Sequence, residues 1–241
     1  MGRVEEALTG KAVEMCQHQG HRDRARRGGD LLVEALQKLA GTWGDDLEIH
    51  LVGHSAGSII LGAFLKLVVQ RGLVARIAST HLFAPACSVE FANQHYAALP
   101  DIMAKLHVRV LSDRVELDDN VAGIYRKSLL YFVSNALETD LRTPILGLDN
   151  VTRPDFGGWD GASSTVAALA AWREAAAKAG LVKPKRWKVI DSDKVLAARN
   201  PDTPIDAAHG SFDNDVDIIG DLLERIAGGP LTLPVDDLRG F

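Results

Sequence analysis

The chain has 241 residues, 46% of them hydrophobic and 24% charged, with a formal net charge of −5. This length suits one domain over 1–241, and this composition is typical of a folded globular protein rather than a disordered or membrane chain. The negative net charge argues against nucleic-acid binding, which needs a basic surface, and we interpret the one basic run, 21–29, as a solvated connection.

The sequence shows no signal for export, membrane insertion or metal binding. The amino terminus has two early glutamates and no apolar segment of the kind found in signal peptides, so we expect a cytoplasmic protein. The longest apolar stretch, 58–69, is interrupted by Lys66 and is shorter than the roughly 20 residues that span a bilayer. Cys16 and Cys87 are too few for a disulfide framework or a zinc cluster, and we expect reduced core residues. We predict no metal site and no cofactor.

Helical and strand patterns alternate along the chain. Leucines spaced by three or four residues predict a first helix over 30–40, capped by Asp30 and ended at Gly41. A buried strand follows from Leu47, and the helix after it ends at Gly72. The remaining predicted elements are strands over 76–86 and 105–111, helices over 121–137 and 163–180, a strand over 186–191 and a final helix over 213–229.

This alternation predicts an α/β fold, with a parallel sheet covered by helices on both faces. The exception is a long Pro/Gly-rich loop over 143–161, of the kind that borders active sites. We therefore treat 143–161 as a candidate active-site loop, and Phe156 and Trp159 within it as candidates to line a substrate pocket.

A serine lies between two glycines where the strand from Leu47 gives way to a helix. Residues 53–57, Gly-His-Ser-Ala-Gly, match G-x-S-x-G, the pattern of a nucleophile elbow. Such a serine occupies a strained turn that exposes Oγ, and small residues two positions to either side let the neighbouring backbone pass close by. We expect His54 to pack within the turn and to point away. The alternative is a glycine-rich turn with an incidental serine.

On this motif, in its strand–turn–helix context, the chain resembles the α/β-hydrolase superfamily, in particular serine esterases and lipases. The resemblance covers most of the chain after Leu47 and implies a partial α/β-hydrolase fold with a triad in the order Ser, acid, His. Ser55 would be the nucleophile, with the Ala56 N–H in the oxyanion hole. Of eight histidines, only His209 follows the strand ending at Leu111. It lies between the last strand and the last helix, where the family has its base.

Several carboxylates are candidates for the acid of the triad. Asp113 directly follows the strand that ends at Leu111, the position that the resemblance implies. Glu116 lies one turn further on and is the first alternative. The choice also stays open to three others, which are Asp118, Asp119 and Asp149. Carboxylates in this stretch are also suited to helix capping.

The resemblance is incomplete before the elbow. In the family, several strands precede the elbow strand, and a loop among them supplies a second oxyanion donor; here helical sequence, including the predicted helix over 30–40, and the turn 41–46 precede it. We therefore expect either an N-terminally abbreviated fold or a second copy of the chain that completes the sheet. The function expected first is cleavage of a small-molecule carboxylic ester, or of a thioester or amide, through an acyl-enzyme on Ser55. The alternative is a non-catalytic, hydrolase-like binding protein.

Overall fold

The computed structural model describes residues 27–159, 161–183, 185–195, 204–233 and 235. Cys16 and most of the basic run lie outside the described residues. The strands are β1 (Ile49–His54), β2 (Ile77–Phe83), β3 (Leu106–Leu111), β4 (Trp187–Ile190), β5 (Lys194–Val195) and β6 (Ile205–Asp206). The α-helices are α1 (Gly28–Trp43), α2 (Gly57–Gln70), α3 (Val89–Ala92), α4 (Pro100–Met103), α5 (Asp113–Asp118), α6 (Leu129–Phe132), α7 (Ser163–Lys178) and α8 (Val216–Ala227).

Strands β1 to β4 form one parallel sheet in which each strand pairs with the next one along the chain. The α/β class predicted from the sequence is confirmed. The order makes β1 an edge strand of the described sheet, and β5 and β6 form a separate antiparallel pair. Because the carboxyl ends of parallel strands meet at one edge of the sheet, the turn after β1 and the segment after β3 lie at the same end.

The two faces of the sheet differ in polarity, because side chains alternate along each strand. One face carries Leu82 and Val108, both fully buried, in register with Gly53 of β1. The other face carries His81 and His107, whose rings stack at 4.8 Å, together with Arg109. Helix α2 covers the apolar face, as its contact with Gly53 shows, and α8 covers the polar face through an ion pair between Asp221 and Arg109.

The first helix extends beyond its predicted bounds at both ends. It begins at Gly28, so Asp30 lies within its first turn instead of capping it, and Gly41 lies within its last turn. The helix ends where Gly44 adopts a positive φ of 56°, a conformation that glycine reaches without steric cost. The predicted strands of the sheet are confirmed to within a few residues. The same holds for three predicted helices, which are the helix directly after Ser55 and those over 163–180 and 213–229.

The predicted helix over 121–137 is wrong in its first half. Ala122 and Gly123 both have positive φ values, 52° and 71°, which a right-handed helix excludes. The helical part begins at Leu129, because the Ser128 hydroxyl caps it by accepting a hydrogen bond from the Tyr131 N–H. It continues as a wider π-helical turn over Val133–Leu137.

No helix in the described ranges combines the length and apolar character needed to cross a bilayer. Cys87 is fully buried, as expected for a core residue.

Candidate active site

Ser55 occupies a strained turn directly after β1. Its φ is 53°, in the left-handed region that a residue with a Cβ adopts at a cost. Both of its backbone groups are tied to neighbouring elements: its N–H donates to the Phe83 carbonyl at 2.9 Å, and its carbonyl accepts from the Ala86 N–H at 3.1 Å and from the Ser58 hydroxyl at 2.7 Å. These hydrogen bonds hold the turn in its strained conformation.

The two glycines that flank Ser55 meet different surroundings. A Cβ on Gly53 would lie 2.8 Å from Leu61 Cδ1 and 3.1 Å from the Gly57 carbonyl carbon. A Cβ on Gly57 would meet nothing within 4 Å. The expectation that small residues are needed on both sides of the serine therefore holds at Gly53 and not at Gly57.

This difference predicts opposite outcomes for two matched substitutions. Gly53→Ala lowers the free energy of unfolding by about 1–3 kcal/mol, because the added methyl group pushes α2 away from β1. Gly57→Ala raises it by a few tenths to about 1 kcal/mol, because alanine favours the helix and nothing obstructs its methyl group. Urea unfolding of both variants checks the prediction, and equal changes in the two would contradict it.

His209 lies against Ser55. It begins a short 3₁₀ turn, His209–Ser211, between β6 and α8, and its Nε2 is 2.9 Å from Ser55 Oγ. The side chain is almost buried, and this burial, with the neighbouring His54, lowers its pKa to about 4. The imidazole is therefore neutral at pH 7, the form that accepts a proton. The structure thus brings together the two residues predicted as nucleophile and base.

The other ring nitrogen of His209 is Nδ1. When Nε2 accepts a hydrogen bond from Ser55, the ring proton is on Nδ1. Nδ1 is buried and has no hydrogen-bond partner within the described part of the chain. A triad acid would accept a hydrogen bond at this position.

Asp113, the acid that the resemblance implies, is engaged elsewhere. Its Oδ1 accepts hydrogen bonds from the Tyr131 hydroxyl and, at 2.6 Å, from Asn150 Nδ2. Asn150 Nδ2 also donates to the Tyr131 hydroxyl, at 2.9 Å, so the three side chains form one network. No hydrogen bond among the described residues joins Asp113 to His209.

Among the described carboxylates, Asp119 contacts the backbone of His209. It lies directly after α5, and its Oδ2 accepts a hydrogen bond from the His209 backbone N–H at 3.3 Å. Its Oδ1 accepts one from the Asn120 N–H at 2.7 Å. One carboxylate oxygen thus lies beside the backbone of the predicted base, whereas no described carboxylate is hydrogen-bonded to its ring.

The remaining acid candidates are less suited to this role. Glu116 is fully buried, and this burial, with Asp119 and Asp113 nearby, raises its pKa to about 8. It is therefore mostly protonated at pH 7 and carries little negative charge to stabilise an imidazolium ion. Asp118 is exposed, and burial raises the pKa of Asp149 at the start of a 3₁₀ turn in the long loop.

His54 contacts the distant loop that carries the predicted base, so the expectation that it packs within its own turn is wrong. Its Nε2 lies 2.9 Å from the His209 carbonyl oxygen, and the two imidazole rings are 5.0 Å apart. Alternation along β1 places His54 on the polar face of the sheet, beside Phe83, while Gly53 faces α2. That alternation was the signal in the sequence that could have located His54.

Ala56 offers a backbone donor beside Ser55. It is the N-cap residue of α2, and its N–H donates to no described residue. The helix dipole and this N–H both favour negative charge at this position. On the other side of Ser55, β1 is the edge of the described sheet, so no described strand contributes a second donor there.

The loop 143–161 contacts the segment that follows β2, whose Ala86 N–H donates to the Ser55 carbonyl; its role as an active-site loop stays a prediction. The Leu146 N–H donates to the Cys87 carbonyl and the Gly147 N–H to the Pro85 carbonyl, both at 2.8 Å. Phe156 and Trp159 contact each other edge to face at 5.2 Å, and Trp159 is buried in the core. Nothing in these contacts directs either ring towards Ser55, so their role in a substrate pocket stays a prediction.

A scan of protein-family models and searches of curated proteins and solved structures find no match to this chain. The interpretation of the site therefore depends on its geometry. His54 and Asp119 both contact His209, which lies 155 and 90 positions away from them along the chain. The sequence did not predict either contact.

Proposed function

We propose that the protein is a serine hydrolase that cleaves a carboxylic ester, through an acyl-enzyme on Ser55 with His209 as general base. The observation that carries the proposal is the 2.9 Å contact between Ser55 Oγ and His209 Nε2, which lies within the range of a proton-transferring hydrogen bond. The strained turn at Ser55 and the donor at Ala56 support it. The α/β-hydrolase resemblance, a thioester or amide substrate and a cytoplasmic location stay predictions beside it.

The proposed reaction uses these groups in two half-reactions. Ser55 Oγ attacks the ester carbonyl carbon while its proton passes to His209 Nε2, and the Ala56 N–H stabilises the negative charge on the carbonyl oxygen. The tetrahedral intermediate collapses, and the departing alcohol takes the proton from Nε2. Water then attacks the acyl-enzyme and gives a proton to Nε2. As the carboxylic acid leaves, that proton returns to Ser55 Oγ.

Asp119 is the proposed acid. A carboxylate near the base stabilises the imidazolium ion that forms in each half-reaction. The hydrogen bond from the His209 N–H supports this assignment, because it keeps the Asp119 charge beside the residue that becomes positive.

A non-catalytic binding protein is the second candidate. Two observations favour it: His209 Nδ1 has no acceptor among the described residues, and a base with a pKa of about 4 is weak at neutral pH. In this alternative, the Ser55–His209 pair is a remnant that shapes a binding site without turnover.

A fluorophosphonate probe, which reacts with activated serines, separates the two candidates. We expect the purified chain to be labelled, Ser55→Ala to lose the label and His209→Ala to be labelled at least about 100-fold more slowly. Ser164→Ala, at an exposed serine on α7, serves as the matched control and is labelled like the wild type. Absence of labelling in folded wild-type protein would favour the binding protein.

Strand β1 pairs on one side only among the described strands, and this bears on the predicted second copy of the chain. An unpaired edge strand is a surface on which another strand can add. Pairing of two copies at β1 stays a prediction, and light scattering of the purified chain across a concentration series tests it.

A further inference from the structure

The His209 backbone is held at both of its polar groups by side chains from other elements. Its N–H donates to Asp119 Oδ2 at 3.3 Å, and its carbonyl oxygen lies 2.9 Å from His54 Nε2. A carbonyl oxygen only accepts hydrogen bonds, so His54 Nε2 carries the hydrogen and donates it. The peptide that bears the proposed base is therefore fixed from two sides.

The ring of His54 is itself fixed by packing. It lies 5.0 Å from the His209 ring and 5.8 Å from the ring of Phe212, measured between centroids. Phe212 is fully buried and stacks on Phe83 of the neighbouring strand at 6.2 Å. Because packing fixes the His54 ring, its Nε2–H keeps its direction. The hydrogen bond therefore restrains the His209 carbonyl.

His54 also has a special place in the chain, because it directly precedes Ser55. The residue that holds the loop of the base thus belongs to the strand that presents the nucleophile. The same loop is also attached through the hydrogen bond from the Ala207 N–H to the Asp193 carbonyl at 2.9 Å. The bond from His54 joins the strand of the nucleophile directly to the residue that carries the base.

We propose that His54 is a positioning residue whose Nε2–H bond to the His209 carbonyl keeps the His209 imidazole within proton-transfer reach of Ser55 Oγ. This role rests on the proposed function, since it is defined by the transfer of a proton between these two side chains. His54 acts through His209 and not on the substrate.

The size of the expected effect follows from the geometry of proton transfer. A displacement of about 1 Å in a reacting group lowers the rate by about 100-fold. The loss falls on kcat, because a residue that does not touch the substrate leaves the binding of the ester, and hence KM, nearly unchanged when chemistry is slow.

Three single substitutions in the full chain test the role, with p-nitrophenyl acetate as substrate. His54→Phe keeps a ring of similar size and removes the donor; we expect kcat to fall by about 10- to 100-fold with KM within about twofold. His54→Gln provides an amide donor at a similar reach, and we expect it to restore kcat to within about threefold of the wild type. His50→Phe, on the same face of β1 at its other end, is the matched control, and its kcat stays at the wild-type value.

Amide hydrogen exchange of the segment 204–212 provides a readout that does not depend on turnover. We expect exchange there to be about tenfold faster in His54→Phe and unchanged in His54→Gln, because the donor and not the ring holds the loop. If the wild type neither hydrolyses esters nor reacts with the fluorophosphonate probe, the proposed function fails, and the positioning of His209 by His54 fails as a catalytic role. Exchange then shows separately whether the hydrogen bond holds the loop.

Three results would overturn the positioning role in an active enzyme. One is a wild-type kcat in His54→Phe. Another is an equal loss of kcat in His54→Phe and His54→Gln, which would assign the effect to the ring and not to the donor. The third is a loss of kcat in His54→Phe without faster exchange in the segment 204–212.

Discussion

Asp119→Asn is expected to lower kcat for ester hydrolysis by about 10- to 100-fold, because it removes the negative charge beside His209 while retaining the shape of the side chain. The amide oxygen of the substituted side chain can accept from the His209 N–H, but the amide NH2 group then faces the Asn120 N–H, from which Asp119 Oδ1 accepts at 2.7 Å. Unchanged amide exchange of the segment 204–212 in this variant shows that the loop keeps its position, and the loss of kcat then reports the charge that stabilises the imidazolium ion. Steady-state kinetics with p-nitrophenyl acetate measure it.

Asp113→Asn is the matched control for this prediction. Asp113 Oδ1 accepts from both Tyr131 and Asn150, so the oxygen of an amide in its place can keep both hydrogen bonds while the charge is lost. We expect a loss of about 1 kcal/mol in the free energy of unfolding, because the two bonds are no longer charge-assisted, and less than about a tenfold change in kcat. A larger fall in kcat for Asp113→Asn than for Asp119→Asn would return the acid to the position that the family resemblance implies.

Local patterns in the sequence were sufficient to predict most of the sheet. The strand patterns, such as the alternation in 105–111, depend only on near neighbours, and each predicted strand of the sheet is present. The prediction over 121–137 was wrong because hydrophobic spacing does not report backbone φ. Ala122 adopts a left-handed conformation, which its residue type did not indicate. The order of the strands in the sheet could be determined only from the structure.

The candidate site was likewise only partly predictable from the sequence. Ser55 could be singled out because the strained turn needs a local motif, and His209 could be singled out because chain order left one histidine after β3. Asp119 could not be preferred over Asp113. Both lie after β3, six residues apart, and only the position of the His209 backbone distinguishes them. His54 was misjudged for the same reason, since its partner belongs to a distant loop.

The pH dependence of hydrolysis provides the second large effect. The base works as neutral imidazole, and burial lowers its pKa to about 4, so lowering the pH from 7 to 5 leaves most of it unprotonated. We expect kcat/KM to stay within about threefold over this range and to fall about tenfold per pH unit below pH 4. With a histidine of the ordinary pKa near 6.5, kcat/KM would fall about 25-fold between pH 7 and 5.

Replacing the base tests its role directly. His209→Ala is expected to lower kcat by about 10⁴- to 10⁶-fold, as steady-state kinetics with p-nitrophenyl acetate would show.

Unfolding in acid has to be separated from this titration. Burial also lowers the pKa values of His81 and His107, to about 3 and about 4. In each case the unfolded chain binds the proton more readily than the folded one, so folding stability is lost as the pH falls from about 6.5 towards 4. Tryptophan fluorescence at each pH identifies the range in which the chain stays folded. Within that range, an acid limb of kcat/KM near pH 6.5 would contradict a buried, neutral His209 and would indicate that the imidazole is paired with a carboxylate before substrate binds.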